Sequence, residues 1–183
     1  MIHHGALDHP RVTRYIEDGR QFLSTAPEGY YDIVVLAFPD PYALKIATLY
    51  TKEFFVLAKN ALSETGILVA QTSDIDATPG DRLYVAAQAC ILQTLRSVFP
   101  FVFAYRADIP SFWTGNTFMI AGNSQGPRVI RNPKSIQGKR CNLEEMETMF
   151  SLTLNIEDHL KNNKIFLNTQ TNPMLHIYMH PVR

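Results

Sequence analysis

Apolar residues along the chain fall into two kinds of run, and their alternation sets the fold class. Short apolar runs predict buried strands at Val12 to Ile16, closed by Asp18-Gly19, at Asp32 to Leu36, closed by Pro39-Asp40-Pro41, and at Gly66 to Gln71. Between them the spacing turns helical. From Ala43 to Leu62, the residues Ala47, Tyr50, Phe54, Leu57, Ala58 and Leu62 fall near one face, until Glu64-Thr65-Gly66 stops the run. A second helix is predicted over Arg82 to Val98, with Leu83, Ala86, Ala87, Cys90, Ile91 and Val98 as its buried stripe and Pro100 as its end. Phe101 to Tyr105 and Thr117 to Ala121 then read as two strands paired in a hairpin.

Strands alternating with helices at this spacing predict an α/β domain with a largely parallel sheet and an antiparallel hairpin at its end. From Gly122 to about Gly138 the chain turns rich in Gly, Asn, Ser, Pro and Arg, which predicts a loop or linker. Asn142 is placed to cap a short helix from Leu143, with Glu144, Glu145 and Glu147 in its first turns, and a strand-like piece runs from Leu175 to Met179. The expected division is therefore a domain over 1–122 and an extension over 123–183.

Composition narrows the class of function. The 183 residues are 46% hydrophobic, as in an ordinary globular domain, and Lys+Arg and Asp+Glu are both 17, so no basic field attracts nucleic acid. No apolar run is long enough for a membrane span, and the start Met1-Ile2-His3-His4-Gly5 lacks the features of a secretory signal; the expectation is a cytoplasmic protein. Cys90 and Cys141 lie far apart without CxxC spacing, which predicts reduced thiols and no zinc site. His3, His4 and His9 crowd the start without a carboxylate or cysteine at ligand spacing, so no metal is expected there.

Ligands in parallel sheets sit at the carboxyl ends of the strands. That rule selects Asp18-Gly19, Phe38-Pro39-Asp40-Pro41, Gln71-Thr72-Ser73-Asp74, and Asp108 through Trp113. Carboxylates gathered at a rim suit a cationic ligand, because their attraction is weakly screened in a cleft and aromatic faces reinforce it. Each aspartate has another reading, since Asp after a strand also caps helices and forms Asx turns.

These residues carry a resemblance. Gly5-Ala6-Leu7-Asp8-His9-Pro10-Arg11-Val12, Glu17-Asp18-Gly19-Arg20-Gln21-Phe22-Leu23, Tyr31-Asp32-Ile33-Val34-Val35-Leu36-Ala37-Phe38-Pro39-Asp40-Pro41, Leu49-Tyr50-Thr51-Lys52-Glu53-Phe54-Phe55 and Gly66 to Gln71 resemble the spermidine synthase (polyamine aminopropyltransferase) family in order and spacing. Ile109-Pro110-Ser111-Phe112 and Phe118-Met119-Ile120-Ala121 extend the likeness to its substrate-side loop and last hairpin; Asn172 to Tyr178 fits more loosely. The resemblance implies an incomplete S-adenosylmethionine-methyltransferase-like Rossmann sheet. It also implies aminopropyl transfer from decarboxylated S-adenosylmethionine to putrescine or a related amine, with methylthioadenosine as product and a homodimer as a possible assembly.

Carried over by motif, Asp18 and Gly19 match the pair that recognises the adenine, Asp40 the second aspartate of an Asp-x-x-Asp motif that anchors the polyamine, and Gln71 the Gln ending the strand beside the substrate. Phe112 stands where the family has a tyrosine, and Trp113 follows it in the same loop. The first aspartate of the motif, the expected proton acceptor, falls on Ala37, and a proline usual past Asp-Pro is Leu44. The family's glycine-rich first loop and its N-terminal β domain have no counterpart in these residues. The segment Val12 to Ile16 is therefore expected to lack its usual neighbouring strands and to leave a bare sheet edge. A non-catalytic polyamine-binding or regulatory homologue is the competing expectation.

Overall fold

The computed structural model of the chain describes residues 5–74, 82–109, 114–124, 149 and 153–180. Strands β1 (Tyr31–Leu36), β2 (Leu62–Asp74), β3 (Phe101–Ile109) and β4 (Thr114–Gly122) form one sheet in the order β1-β2-β4-β3. β1 and β2 run parallel, with Leu36 opposite Ala70. β4 lies between β2 and β3, antiparallel to both. This is the α/β arrangement expected from the alternating pattern, parallel at its start and closed by an antiparallel hairpin. Since β3 and β2 each run opposite to β4, Asp108 (across from Gly115) and Asp74 (across from Asn116) reach the same end of the sheet as Leu36.

Alternation along the strands places Leu36, Leu68, Ala70, Val102, Ala104, Met119 and Ala121 on one face, all buried. Helices α3 (Lys52–Ala61) and α4 (Arg82–Arg96) cover that face. α4 is sandwiched: its far side meets α5 (Thr153–Asn162) and α6 (Met174–Met179), so Ala89 and Leu92 are buried along with Ala87, Cys90, Ile91 and Leu95. Ile156, Leu175 and Met179 join the same core from the C-terminal elements. The Arg96 guanidinium grips the Glu157 carboxylate across this seam and holds its pKa below the usual carboxylate range.

Three sequence expectations are corrected. Residues 12–16 form no strand: Val12, Tyr15 and Ile16 are exposed, Ile16 fully, because no neighbouring strand takes up their backbone groups among the described residues. The single helix expected from Ala43 to Leu62 is divided into α2 (Leu44–Ala47), a 3₁₀ turn (Thr48–Tyr50) and α3. The break is Thr51, whose backbone is extended (φ −82°, ψ 157°) and whose hydroxyl accepts the Phe54 N–H at 3.4 Å, capping α3. Leu175 to Met179, read as a strand, is the helix α6, with Leu175 and Met179 buried at i, i+4 spacing. The helix expected from Leu143 lies outside the described residues.

Two glycines are required where they stand. Gly29 (φ 66°) turns the chain from α1 (Gly19–Thr25) into β1 and donates its N–H to the Asn60 carbonyl at 2.9 Å. Gly66 sits where β2 passes β1, and a Cβ there would lie 2.9 Å from the Tyr31 carbonyl oxygen.

Candidate functional site

The parallel pair β1 and β2 delivers two loop starts side by side, and one tyrosine ties them together. Tyr50, fully buried in the 3₁₀ turn, donates its hydroxyl to the Gln71 carbonyl at 2.7 Å. Burial raises its phenol pKa, and the negative charge of nearby Asp40 raises it further. Asp40, half-buried in the loop after β1, and Gln71, half-buried in β2 one residue past its last pairing with β1, thus share Tyr50 as a neighbour. Phe38 packs edge-on against Tyr50 and Phe54, with centroids 6.0 and 5.9 Å apart, and fixes the loop from beneath. Ala37 follows Leu36 directly and is exposed.

Below Gln71 lies a buried polar layer. Its amide Nε2 donates to Asn116 Oδ1 at 3.4 Å, and the Thr72 hydroxyl lies 2.7 Å from Gln88 Oε1 and 3.0 Å from the Thr117 carbonyl. Thr72, Gln88, Asn116 and Thr117 are all at most 5% exposed, so these bonds hold the β2 end without help from water.

The other wall is the start of α1. Asp18 Oδ1 accepts the N–H groups of Arg20 (2.9 Å) and Gln21 (3.1 Å), so one oxygen serves as a helix cap, which is the structural alternative recognised for post-strand aspartates. Gly19 is exposed, with open space where a side chain would stand. Arg20 links this wall to the 3₁₀ turn and the start of α3: its guanidinium donates to the Thr48 carbonyl and to Thr51 Oγ1 (3.2 Å) and lies 5.4 Å from the Phe54 ring centroid. A hollow of about 290 Å³ starts at Gly19 and Phe38 and continues along β1.

The C-terminal segment buttresses the same loop from outside. His176 Nδ1 and His180 Nε2 lie 3.1 and 2.7 Å from the Tyr42 carbonyl, two residues past Asp40. Fully buried Asn168 donates from Nδ2 to the Ala47 carbonyl at 2.9 Å and accepts the Leu175 N–H at 3.2 Å.

Of the residues singled out by sequence, Asp18, Gly19, Ala37, Asp40 and Gln71 are brought to one end of the sheet. Asp74 and Asp108 reach that end by backbone register. Phe112 and Trp113 lie outside the described residues. Arg20, Tyr50, Asn116 and Asn168 were not singled out. Arg20 and Tyr50 stood inside the quoted motifs and were legible there, whereas no local signal marks Asn116 or Asn168. His9 Nδ1 accepts the Arg11 N–H at 3.2 Å, and no group of three or more potential metal ligands occurs among the described residues. The arrangement offers a carboxylate (Asp40) and a carboxamide (Gln71) beside Tyr50, with Phe38 packed on Tyr50 and also lining the hollow. Such a set suits an organic cation bearing N–H donors.

Comparison with known proteins adds three findings. Residues 1–132 match the family of the spermine/spermidine synthase domain. The chain is 31% identical over 134 residues to the polyamine aminopropyltransferase of Pyrobaculum calidifontis and 35% identical over 134 residues to that of Pyrobaculum aerophilum; each match covers 71% of this chain and 44% of the relative. A spermidine synthase solved in complex with the transition-state analogue AdoDATO superimposes with a TM-score of 0.70 at 20% identity, covering 86% of this chain and 54% of that one. The chain thus spans less than half the length of the curated relatives it matches.

Proposed function

The chain belongs to the spermine/spermidine synthase family, and we propose that its Asp40–Gln71 end is the amine-holding wall of an aminopropyltransferase site. The observation that carries this reading is the convergence of Asp40 and Gln71 on Tyr50 at the carboxyl end of the parallel pair. A polyamine ammonium placed there meets a half-buried carboxylate, whose attraction exceeds that of an exposed one. Asp18-Gly19 and the adjoining hollow are positioned to receive the nucleoside end of decarboxylated S-adenosylmethionine.

In the proposed reaction a neutral amine nitrogen attacks the methylene carbon next to the sulfonium. A C–N bond forms and the C–S bond breaks, its electron pair leaving with methylthioadenosine, while the attacking nitrogen gives up a proton. Ala37 has no atom that accepts this proton. A positioned general base is worth about 10²- to 10⁴-fold in rate, so transfer by the native sequence is slow by that factor. The same methyl group favours a second reading, a homologue that holds polyamine without turnover.

Calorimetric titration with spermidine and separately with methylthioadenosine tests the site. Asp40→Asn is expected to weaken spermidine binding about 10- to 100-fold, as the loss of one charged hydrogen bond predicts, and to leave methylthioadenosine binding unchanged. Aminopropyl transfer that rises at least 100-fold in Ala37→Asp identifies a disabled enzyme. Unaltered transfer in Ala37→Asp with intact spermidine binding selects the binding homologue, and spermidine binding that is unchanged in Asp40→Asn refutes the assignment of Asp40.

A further inference from the structure

Two histidines aim at one atom outside the hollow. His176 lies in α6 and His180 directly follows its last residue, so the two are four positions apart and share one helix face. The His180 N–H donates to the His176 carbonyl at 3.1 Å, which completes the helical turn between them. His176 Nδ1 and His180 Nε2 both face the Tyr42 carbonyl oxygen, at 3.1 and 2.7 Å, and the two ring centroids are 4.8 Å apart. The backbone that carries the rings is fixed. Leu175 and Met179, each one position before a histidine, are buried in the core, and the Leu175 N–H is held by Asn168 Oδ1 at 3.2 Å. The Tyr42 ring meets the His180 ring edge-on at 6.2 Å and limits its rotation.

These separations are those of a chelate. Two imidazoles on one metal ion, each nitrogen about 2.1 Å from it, hold their ring centroids roughly 4.5 to 5.3 Å apart at coordination angles of about 90 to 110°. The 4.8 Å between these rings falls inside that interval. A nitrogen and an oxygen at neighbouring positions on the same ion are roughly 3.0 to 3.4 Å apart. His176 already has that distance from the Tyr42 oxygen, and His180 reaches it when the carbonyl moves outward by a fraction of an ångström. Without an ion, both rings donate N–H to a carbonyl that has two lone pairs. Shifting each proton to the other ring nitrogen turns the same two atoms into ligands, with no change in the charge of either ring.

We propose that His176, His180 and the Tyr42 carbonyl bind one divalent transition-metal ion of the zinc or nickel class. Two imidazole nitrogens and one neutral oxygen select such an ion over magnesium or calcium, which take oxygen ligands throughout. Tyr42 and His180 are exposed, so the ion enters from solvent and water completes its coordination. Because the Tyr42 N–H donates to the Asp40 carbonyl at 2.8 Å, the ion fastens α6 to the loop that carries Asp40. Its role is that of a clip between the C-terminal segment and this loop, outside the chemistry of aminopropyl transfer. The competing ligands in the chain are His3, His4 and His9, which crowd its start.

The test titrates the full chain with zinc chloride, and separately with nickel chloride and magnesium chloride, by calorimetry at about pH 7.5, where neutral imidazole predominates. Melting temperature is followed over the same concentrations. The expected result is one zinc or nickel ion per chain, a melting temperature that rises with free metal, and no response to magnesium. His176→Gln and His180→Gln should each weaken zinc binding about 10-fold or more. The metal-free circular dichroism of both should match the parent, because neither ring lies in the core. In His3→Gln/His4→Gln/His9→Gln the affinity should equal that of the parent. Zinc affinity that survives in His176→Gln/His180→Gln, or that falls in the N-terminal triple variant, overturns the proposal. A parent chain that shows neither heat nor stabilisation with zinc and nickel overturns it outright. None of these readouts involves nucleoside or amine, so the outcome is independent of the aminopropyltransferase assignment.

Discussion

Replacing Asn168 with alanine tests whether the C-terminal segment is keyed into the candidate site. Its side chain is fully buried and makes two bonds, to the carbonyl of Ala47, which ends α2, and from the N–H of Leu175 in α6. Its backbone makes two more, to Thr94 Oγ1 of α4 at 3.0 Å and from the Lys52 N–H of α3 at 2.9 Å, so the residue sits where four helices meet. Alanine keeps the backbone bonds and leaves one carbonyl and one N–H buried without partners. Each such group costs about 1–3 kcal/mol, and with partial relaxation the loss is about 2–4 kcal/mol. With a urea m-value of about 2 kcal/mol/M the unfolding midpoint falls by about 1–2 M. The assay is urea denaturation followed by far-ultraviolet circular dichroism, with exposed Asn163→Ala as a control expected to stay within about 0.5 kcal/mol. Amide exchange in Thr48 to Tyr50 should accelerate as well, because the Ala47 anchor is lost. A midpoint within about 0.25 M of the parent at an unchanged m-value would refute the reasoning that Asn168 fastens the segment to the Asp40 loop.

Gly66→Ala puts a Cβ against the Tyr31 carbonyl and should cost about 1–3 kcal/mol by urea denaturation; a neutral result would mean that β1 and β2 separate there freely. Tyr50→Phe removes the bond to the Gln71 carbonyl and should cost about 1 kcal/mol at pH 7. It also changes the alkaline limb. The fold raises the Tyr50 pKa, whereas unfolded tyrosine ionises near pH ~10, so this stabilisation is complete below that pH and is lost as pH rises above it. The fall in urea midpoint between about pH 9 and 11 should therefore be shallower in Tyr50→Phe, and an identical slope would remove Tyr50 from the explanation. Burial pushes the Cys90 thiol up to about 12, and its Sγ contacts the Phe166 carbonyl at 3.3 Å; peptide mapping after maleimide treatment at pH 7 should find Cys90 unlabelled in the native chain and labelled in urea.

Local pattern was sufficient for most of the framework. Continuous apolar runs mark β1 and β2, although on β1 the face of Ile33 and Val35 is exposed among the described residues, and the 3.6-residue stripe marks α4 because one side must meet the sheet. The pattern failed where the deciding partner is distant. Val12 to Ile16 has strand residues but, among the described residues, no strand beside it, and pairing makes a strand. The run from Ala43 to Leu62 has continuous helical spacing, yet Thr51 breaks it by capping α3 and receiving Arg20 from α1. Leu175 to Met179 is too short for its period to be read, and its helix follows from Leu175 and Met179 packing into the core.

The candidate site divides in the same way. The sequence by itself determined the strand ends and the chemistry placed after them, Asp18-Gly19, Ala37, Asp40 and Gln71, because residue type and position in a motif are local properties. Only the tertiary structure decided that Tyr50, near Asp40, bonds the Gln71 carbonyl, that Asn116 meets the Gln71 amide, that Asn168 holds the end of α2, and that His176 and His180 meet the Tyr42 carbonyl. These contacts join residues from 21 to 138 positions apart, a separation at which only the packed core and the sheet register bring side chains together.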